Sequence, residues 1–302
     1  MKKTLKKIGI SLLALLLMLV MAAAVVIFWH YPGYRRAMTP VSIPADESGN
    51  ITMMSYNLRC LTPMDLGDKS WFRRAELVME DLKTQAPGIV GFQEATKWQY
   101  EYLVESLPDY DSVITYRDGS VIAEGCPIFY HAEQFELVDK GSFWLSETPE
   151  VMSKDWGAAC YRICSYVILT DKATGRDFVV FNTHLDHVSD EARIKGIDVV
   201  LDKIAQFGGL PAVIMGDLNA EEGSQTYVSV TENFLDARYE AESTVDTYTY
   251  QNWGNMEKAC RIDYFMVSRE GFSVKSYNVL TQPHDGVYSS DHCPIVLVVT
   301  ME

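Results

Sequence analysis

The sequence predicts a strand-rich α/β domain with helices packed outside its sheets. Two observations carry that expectation. A strand–helix–strand pattern occurs twice, from "ITMMSYNLRC" to "GIVGFQEAT" and from "FVVFNTHLDH" to "PAVIMGDLNA". Between and after these units lie further short apolar runs bounded by turn residues, among them "YDSVITYR", "PIFYH", "FELVDKGSFWLS" and "RIDYFMVS".

The amino end stands apart from that domain. Lys2, Lys3, Lys6 and Lys7 precede an uncharged run from Ile8 to Trp29 that is long enough to cross a bilayer as a helix. Ala22 and Ala24 offer an A-x-A cleavage site, which would give a secreted protein. The apolar run continues past them through Val25, Val26, Ile27, Phe28 and Trp29, which favours an uncleaved N-terminal transmembrane helix. Four lysines before the span against Arg35 and Arg36 after it keep the amino end inside, so the body is expected on the extracytoplasmic side of a cell membrane. The expected organisation is a membrane segment over residues 1–34, a Pro-, Ser- and acid-containing linker over 35–49, and one catalytic-sized domain over 50–302, acting as a monomer.

Within the body, "ITMMSYN" reads as a strand, and the helix after it places Phe72, Ala75, Leu77, Val78 and Leu82 on one face before Pro87 closes it. The second unit repeats the order, with Ile194, Ile197, Val200, Leu201 and Ile204 forming the helix face. "RICSYVILTDKATGRDFVVFNTHL" reads as a hairpin turning at "DKATGRD", and "SVKSYNVL" and "CPIVLVVT" complete the strands.

Charge narrows the function. The chain carries 26 Lys and Arg against 41 Asp and Glu, a net of −15. Six of the basic residues and no acid lie in the first 36 positions, leaving 20 basic against 41 acidic residues in the remainder, a net of −21. A body of that sign disfavours a stable nucleic-acid partner, since nonspecific grip on the backbone comes from Lys and Arg. It still admits a phosphate substrate, because a bound divalent cation inverts the local field. The six cysteines, Cys60, Cys126, Cys160, Cys164, Cys260 and Cys293, are scattered, with neither disulfide-scaffold density nor paired zinc spacing. They are expected to be mainly buried free thiols.

The strand ends carry the chemistry. Asn57 ends "MMSYN", Glu94 ends "IVGFQE", His184 ends "VVFNTH", Asp217 and Asn219 end "VIMGDLN", Asp263 interrupts "RIDYFMV", and Asp291 and His292 precede "CPIVLVV". An Asp or Asn alone at a strand end is ordinary turn chemistry. A full set of such ends is not, and it suits metal-assisted hydrolysis of a phosphate ester. Asn57, Glu94 and Asp291 offer the oxygens that Mg²⁺ or Mn²⁺ prefers. His292 oriented by Asp263 suits proton transfer, and His184 is a second imidazole facing the phosphate.

The motifs "SYNLR", "GFQEA", "NTHLDH", "GDLNA", "RIDYFMVS" and "SSDHCPI", in that order over about residues 51–299, together resemble the endonuclease/exonuclease/phosphatase superfamily. That resemblance implies a four-layer α/β sandwich: two packed mixed β-sheets flanked by helices, with a cleft at one end. It implies Glu94 as principal Mg²⁺ ligand, Asn57 as an amide beside the metal and Asp291 as a further carboxylate there. It also implies His292 as catalytic histidine held by Asp263, Asp217 and Asn219 as the pair that orients water and binds the scissile phosphate, and His184 as a phosphate contact. Which of Asp217 and His292 is the base stays open within the resemblance.

Other residues are left with two readings. Asp186 and His187 are supporting residues or exposed turn residues; Arg162 is a bidentate donor to a substrate phosphate or a surface ion pair. The loop "TYTYQNWG", from Thr247 to Gly254, lines the pocket or covers a sheet. The expected function is a membrane-anchored Mg²⁺- or Mn²⁺-dependent phosphoesterase acting on a small or lipid-linked phosphodiester or phosphomonoester by attack of an activated water. The alternatives are an extracytoplasmic nuclease, for which Arg59, Lys97, Arg162 and Arg261 are the basic candidates, and a tethered binding module without catalysis. The intact set of polar strand ends argues against the last.

Overall fold

A computed structural model of the protein describes residues 9–23, 25, 40–245 and 247–302. The chain divides into two units, Met1–Thr39 and Pro40–Glu302. In the first, residues 9–23 and 25 are helical (α1) with exposed side chains. The rest of the expected membrane segment, residues 1–8, 24 and 26–34, lies outside the described residues. Among the described residues no helix is long and apolar enough to cross a membrane.

In chain order the second unit runs β1 (Ile51–Asn57), α2 (Trp71–Gln85), β2 (Ile89–Gln93), β3 (Ala95–Thr96), α3 (Lys97–Ser106), β4 (Tyr110–Val113), β5 (Glu124–Gly125), β6 (Ile128–His131), β7 (Phe135–Trp144) and β8 (Ile163–Asp171). It continues with β9 (Arg176–His184), α4 (Asp190–Ala205), β10 (Ala212–Asp217), α5 (Gln225–Thr231), β11 (Phe234–Asp236), α6 (Ala237–Glu240), β12 (Ser243–Thr244), β13 (Asp263–Ser268), β14 (Phe272–Val279) and β15 (Ile295–Met301). One sheet has seven strands in the order β12-β14-β15-β1-β2-β6-β4, and the other six in the order β11-β13-β10-β9-β8-β7. Both are mixed. β1 and β2 are parallel, as are β9 and β10, so the two expected strand–helix–strand units are the parallel centres of the two sheets. The expected hairpin is β8–β9.

Alternation along the strands sorts side chains into layers. Ile51 and Met53 of β1, Ile89 of β2, Phe178 and Val180 of β9, Val213 and Met215 of β10, and Phe265 and Val267 of β13 fill one core between the sheets. The intervening residues Val179, Phe181, Ala212, Ile214, Tyr264 and Met266 face outward, where Ile197 and Val200 of α4 and Val230 of α5 cover them. On the other sheet, Tyr56 of β1 reaches α2 through a 2.7 Å hydrogen bond to Asp81 Oδ2. The architecture is thus two packed sheets with helices on their outer faces. Helix α4 starts where expected, because Ser189 caps the Ala192 N–H and Asp190 and Glu191 favour the positive end of the helix.

Two expectations about the chain path change. Asp263 begins β13 rather than interrupting it, and since β13 runs antiparallel to β10, its first residue lies at the same sheet edge as the last residue of β10. The described part of the expected linker is docked on the body: Val41 N donates to the Ser106 carbonyl, Ile43 N to Asp109 Oδ2 at 2.8 Å, and the Ile43 side chain is buried.

Gly216 is required by the close approach of β9. Its φ is +138°, and a Cβ there would stand 2.0 Å from the Thr183 carbonyl oxygen. Gly216→Ala is therefore expected to lower the unfolding free energy by about 2 kcal/mol or more. A denaturant midpoint equal to that of the parent protein would contradict this account.

Candidate active site

The inward-facing row of each central strand changes from apolar to polar at one edge. On β1 it runs Ile51, Met53, Ser55, Asn57; on β9, Phe178, Val180, Asn182, His184; on β10, Val213, Met215, Asp217; on β13, read backward, Val267, Phe265, Asp263. Register aligns these ends: Asp217 lies opposite His184 on one side and Asp263 on the other. Side chains at paired positions share a face, so the three converge. Asn57 pairs with Gln93, which puts Glu94 at the same level of the other sheet.

Distances bear this out. Asn57 Nδ2 donates to Glu94 Oε1 at 3.2 Å and to Asp217 Oδ2 at 3.1 Å, so one amide joins the two sheets. His292 Nδ1 is 2.9 Å from Asp263 Oδ2, and its Nε2 is 3.7 Å from Asp217 Oδ2. His184 Nε2 lies 3.4 Å from that same oxygen. Asn219, held at φ +47°, donates its backbone N–H to Asp217 Oδ1 at 2.8 Å and its amide to the Leu185 carbonyl at 3.1 Å. Ser290 Oγ donates to the Asn57 carbonyl at 2.6 Å, which ties the Asp291–His292 segment to the end of β1. All eight residues expected in catalysis or metal binding therefore meet at one edge of the sandwich.

Their electrostatics differ. Burial drives His184 well below its usual pKa, and the charge of Arg162 adds to this, so its imidazole is neutral. For His292 burial acts in the same direction but is outweighed by the charge and hydrogen bond of Asp263, then by Asp217 and Asp291; its pKa rises to about 10. Asp217 is pushed up to about 7 by burial and by Asp263, with His292 pulling the other way. Asp291 is raised by burial and by Glu94, against the pull of His292. Glu94 itself is held low: desolvation opposes its charge, but the Cys60 N–H at 2.9 Å, His292 and the Asn57 amide prevail.

These residues fit a hard divalent cation. Glu94 and Asp291 are neighbouring carboxylates in a desolvated place, where like charges raise the cost of ionisation unless a cation offsets it. The nearby Arg59 guanidinium is already engaged by Asp65 at 2.9 Å. Asn57 Oδ1 accepts from Arg59 N at 3.0 Å while its Nδ2 donates to Glu94 and Asp217, so in this arrangement the amide orients those two acids. Among the described residues, Asp217, Asp263 and His292 also bring ligand atoms within 4.8 Å of one another. Two of those groups are paired with each other through the His292–Asp263 bond.

The cleft above these groups encloses about 520 Å³. Arg162 lines it and is only 6 % exposed, so it is no surface ion pair. Asp186 is buried and accepts four backbone N–H groups, from Ala159, Cys160, Val188 and Ser189, so it builds the turn beneath Arg162. His187 is exposed, and its Nδ1 accepts from Arg162 Nη2 at 3.0 Å. The aromatic loop divides its work. Tyr250 lines the cleft with its ring centroid 4.9 Å from that of His292, whereas Trp253 lies over Arg74. Arg117, Glu124 and Ile262 line the cleft without having been singled out from sequence, and Tyr250 entered only as part of the aromatic loop. Only Tyr250 had a signal, its place in an aromatic cluster; Arg117 and Glu124 lie around a loop with no periodicity to mark them.

The loops bearing these groups are fastened by a buried arginine. Arg74 of α2 donates to the carbonyls of Leu58, Arg59, Lys69 and Ser289, at 2.6–3.2 Å. Asp81, one helical turn pair further along, accepts from Tyr56 and Ser289 and meets His284 at 2.8 Å.

Comparison with known proteins agrees with this geometry. The model of the Endonuclease/Exonuclease/phosphatase family matches residues 54–292. A solved endonuclease/exonuclease/phosphatase from Bacteroides vulgatus is 32% identical, covering 84% of this chain and 99% of that one with a TM-score of 0.79. A mannosyl-6-phosphatase from Bacteroides thetaiotaomicron is 34% identical, covering 83% and 99% with a TM-score of 0.78. The CCR4-Not complex 3'-5'-exoribonuclease subunit Ccr4 of Neosartorya fischeri is 29% identical over 168 residues, 46% of this chain and 22% of that one.

Arg74→Ala would strand the buried carbonyls of Leu58 and Ser289 and release those of Arg59 and Lys69, and is expected to cost about 2–4 kcal/mol of stability, with Arg74→Lys between it and the parent. Hydrogen exchange should quicken at Leu58–Arg59 and Ser289–His292 before the rest of the body. Uniform exchange across the domain in Arg74→Ala would refute this fastening role.

Proposed function

Because the chain belongs to the Endonuclease/Exonuclease/phosphatase family, we propose that it is a Mg²⁺- or Mn²⁺-dependent hydrolase of a small or lipid-linked phosphate ester, acting by direct attack of water. The observation that carries this reading is the convergence of Asn57, Glu94, His184, Asp217, Asp263, Asp291 and His292 at one cleft. Glu94, oriented by the Asn57 amide, and Asp291 would hold the cation, which would supply charge neutralisation at the phosphate. Asp217 receives the water's proton, and its position is fixed by the Asn57 amide and the Asn219 N–H. The neutral His184 donates toward a phosphate oxygen. His292, oriented by Asp263, stabilises the charge that grows on the transferred group and supplies a proton to the leaving oxygen.

The net charge of −21 outside the first 36 residues supports a compact substrate over a long polyanion. The resemblance to a mannosyl-6-phosphatase over nearly its whole length points the same way. The uncharged run from Ile8 to Trp29 supports a membrane-held, outward-facing enzyme. A nuclease is the second reading, favoured by the likeness of part of the chain to an exoribonuclease subunit.

The test is hydrolysis by the full-length protein of a sugar phosphate, a lipid phosphodiester, DNA and RNA, each with Mg²⁺ or Mn²⁺. Chelation should abolish activity and either cation restore it. His292→Ala, Asp217→Ala and Glu94→Ala should each lower kcat by about 10²–10⁴-fold. Activity on nucleic acid alone would promote the nuclease, and variants as active as the parent would overturn the assignment.

A further inference from the structure

We propose that Arg162 is the specificity determinant by which this cleft selects phosphomonoesters over phosphodiesters, its guanidinium binding the third non-bridging oxygen that only a monoester presents. The inference rests on the reading of the cleft as a phosphoesterase site and narrows its substrate class.

Arg162 has a buried ion-pair partner in Asp186 but no hydrogen bond to any carboxylate. Arg162 precedes β8 and is 6 % exposed. Its Nη2 donates to a neutral acceptor, His187 Nδ1, at 3.0 Å. Its buried Nε makes no hydrogen bond. Asp186 Oδ2 stands 3.7 Å from that Nε, beyond hydrogen-bond reach, and both Asp186 oxygens are already occupied by backbone N–H groups at 2.9–3.3 Å. The other carboxylate on this wall, Glu124, is taken by the two-pronged grip of Arg117 at 2.6 and 2.8 Å. The wall therefore holds two guanidinium groups and one closely paired carboxylate.

A buried donor without a partner, on a charged group, is costly unless something else satisfies it. The Nε itself is closed to the cleft and faces Asp186, so a ligand oxygen meets the guanidinium at the edge that lines the cleft. Arg162 and His184 share a small recess of about 10 Å³ with Glu124 and Arg117, room for one oxygen-sized group and no more. A phosphomonoester dianion has three non-bridging oxygens and a charge near −2, whereas a diester has two and a charge of −1. His184 and the residues that would hold the cation, Glu94 and Asp291, would leave one of the monoester's oxygens without a partner. The third is where the planar, permanently charged fork of arginine gives the most.

The experiment uses the full-length protein with Mg²⁺ and compares para-nitrophenyl phosphate with methyl para-nitrophenyl phosphate. Arg162→Met should lower the ratio of monoester to diester kcat/KM by roughly 10- to 100-fold, the loss expected for one charged hydrogen-bonded contact. Arg162→Lys, which keeps the charge without the fork, should fall between, and it decides the matter if Arg162→Met does not fold. A ratio unchanged in both variants overturns the proposal even where the protein is an active phosphoesterase. Should the parent cleave neither ester, the phosphoesterase reading itself fails. Calorimetric binding then judges Arg162 alone: the preference for inorganic phosphate over dimethyl phosphate must shrink in the variants, and equal preference in parent and variants overturns the role.

Discussion

The site depends on a hydrogen-bonded layer laid across the inter-sheet core just beneath it. Asn182 of β9 donates to the Phe92 and Pro127 carbonyls at 2.8 Å and accepts from Gln93 Nε2 at 2.7 Å, while Gln93 also donates to Ser55 Oγ. Opposed apolar side chains leave the offset of two sheets loosely defined, whereas amide hydrogen bonds fail with a small slide. Gly91 permits the approach: a Cβ there would meet Met215 Cε at 2.4 Å and Asn182 Cγ at 2.8 Å. With the sheets locked in that register, the next inward positions along each strand bring Asn57 to within 3.1 Å of Asp217.

That lock explains how so many like charges share one place. Glu94, Asp217, Asp263 and Asp291 crowd the edge of the core, and for Glu94, Asp217 and Asp291 desolvation alone would favour the neutral form. Three of the four are answered by a fixed dipole or charge: the Cys60 N–H for Glu94, the Asn219 N–H for Asp217, the His292 ring for Asp263. Backbone conformation serves the same end. Glu94 and Asn219 both adopt positive φ, 58° and 47°, which turns the chain sharply after its strand and aims donors back at the carboxylates. Such strain is tolerated because the surrounding strands over-determine it.

Much of this was legible in the sequence, for a physical reason. Strand alternation is short-range, so apolar runs ending in Asn57, Glu94, His184 and Asp217 announced both the sheets and the polar edge. Other features are tertiary and left no local trace. Arg74 and Asp81 sit on the buried face of α2, whereas pattern reading assigned that face to Phe72, Ala75, Leu77, Val78 and Leu82, of which Phe72 and Leu77 are only half-buried. Asp263 read as an interruption because sequence does not reveal that β13 enters the sheet antiparallel at the active edge. Arg117 and Glu124 find each other across a loop, and their 2.6 Å contact follows from the Tyr116–Gly125 bridge and the Arg117 N–H donated to the Glu124 carbonyl.

The acidic body and the arginine-bearing wall answer each other. A protein with 41 acidic residues repels a long polyanion at distances up to about a Debye length, roughly 8–10 Å. Inside the cleft screening is weaker and the local groups dominate, so a small anion that enters meets Arg162 and His184 before it meets the average field. Arg117 does not add to that attraction in the same measure, since Glu124 already holds both of its terminal nitrogens. Glu124 feels the charge of Arg162 as well, but its two oxygens are hydrogen-bonded to Arg117. Selectivity then follows from which partners the structure has already assigned: a carboxylate spent on one arginine leaves the other to the substrate.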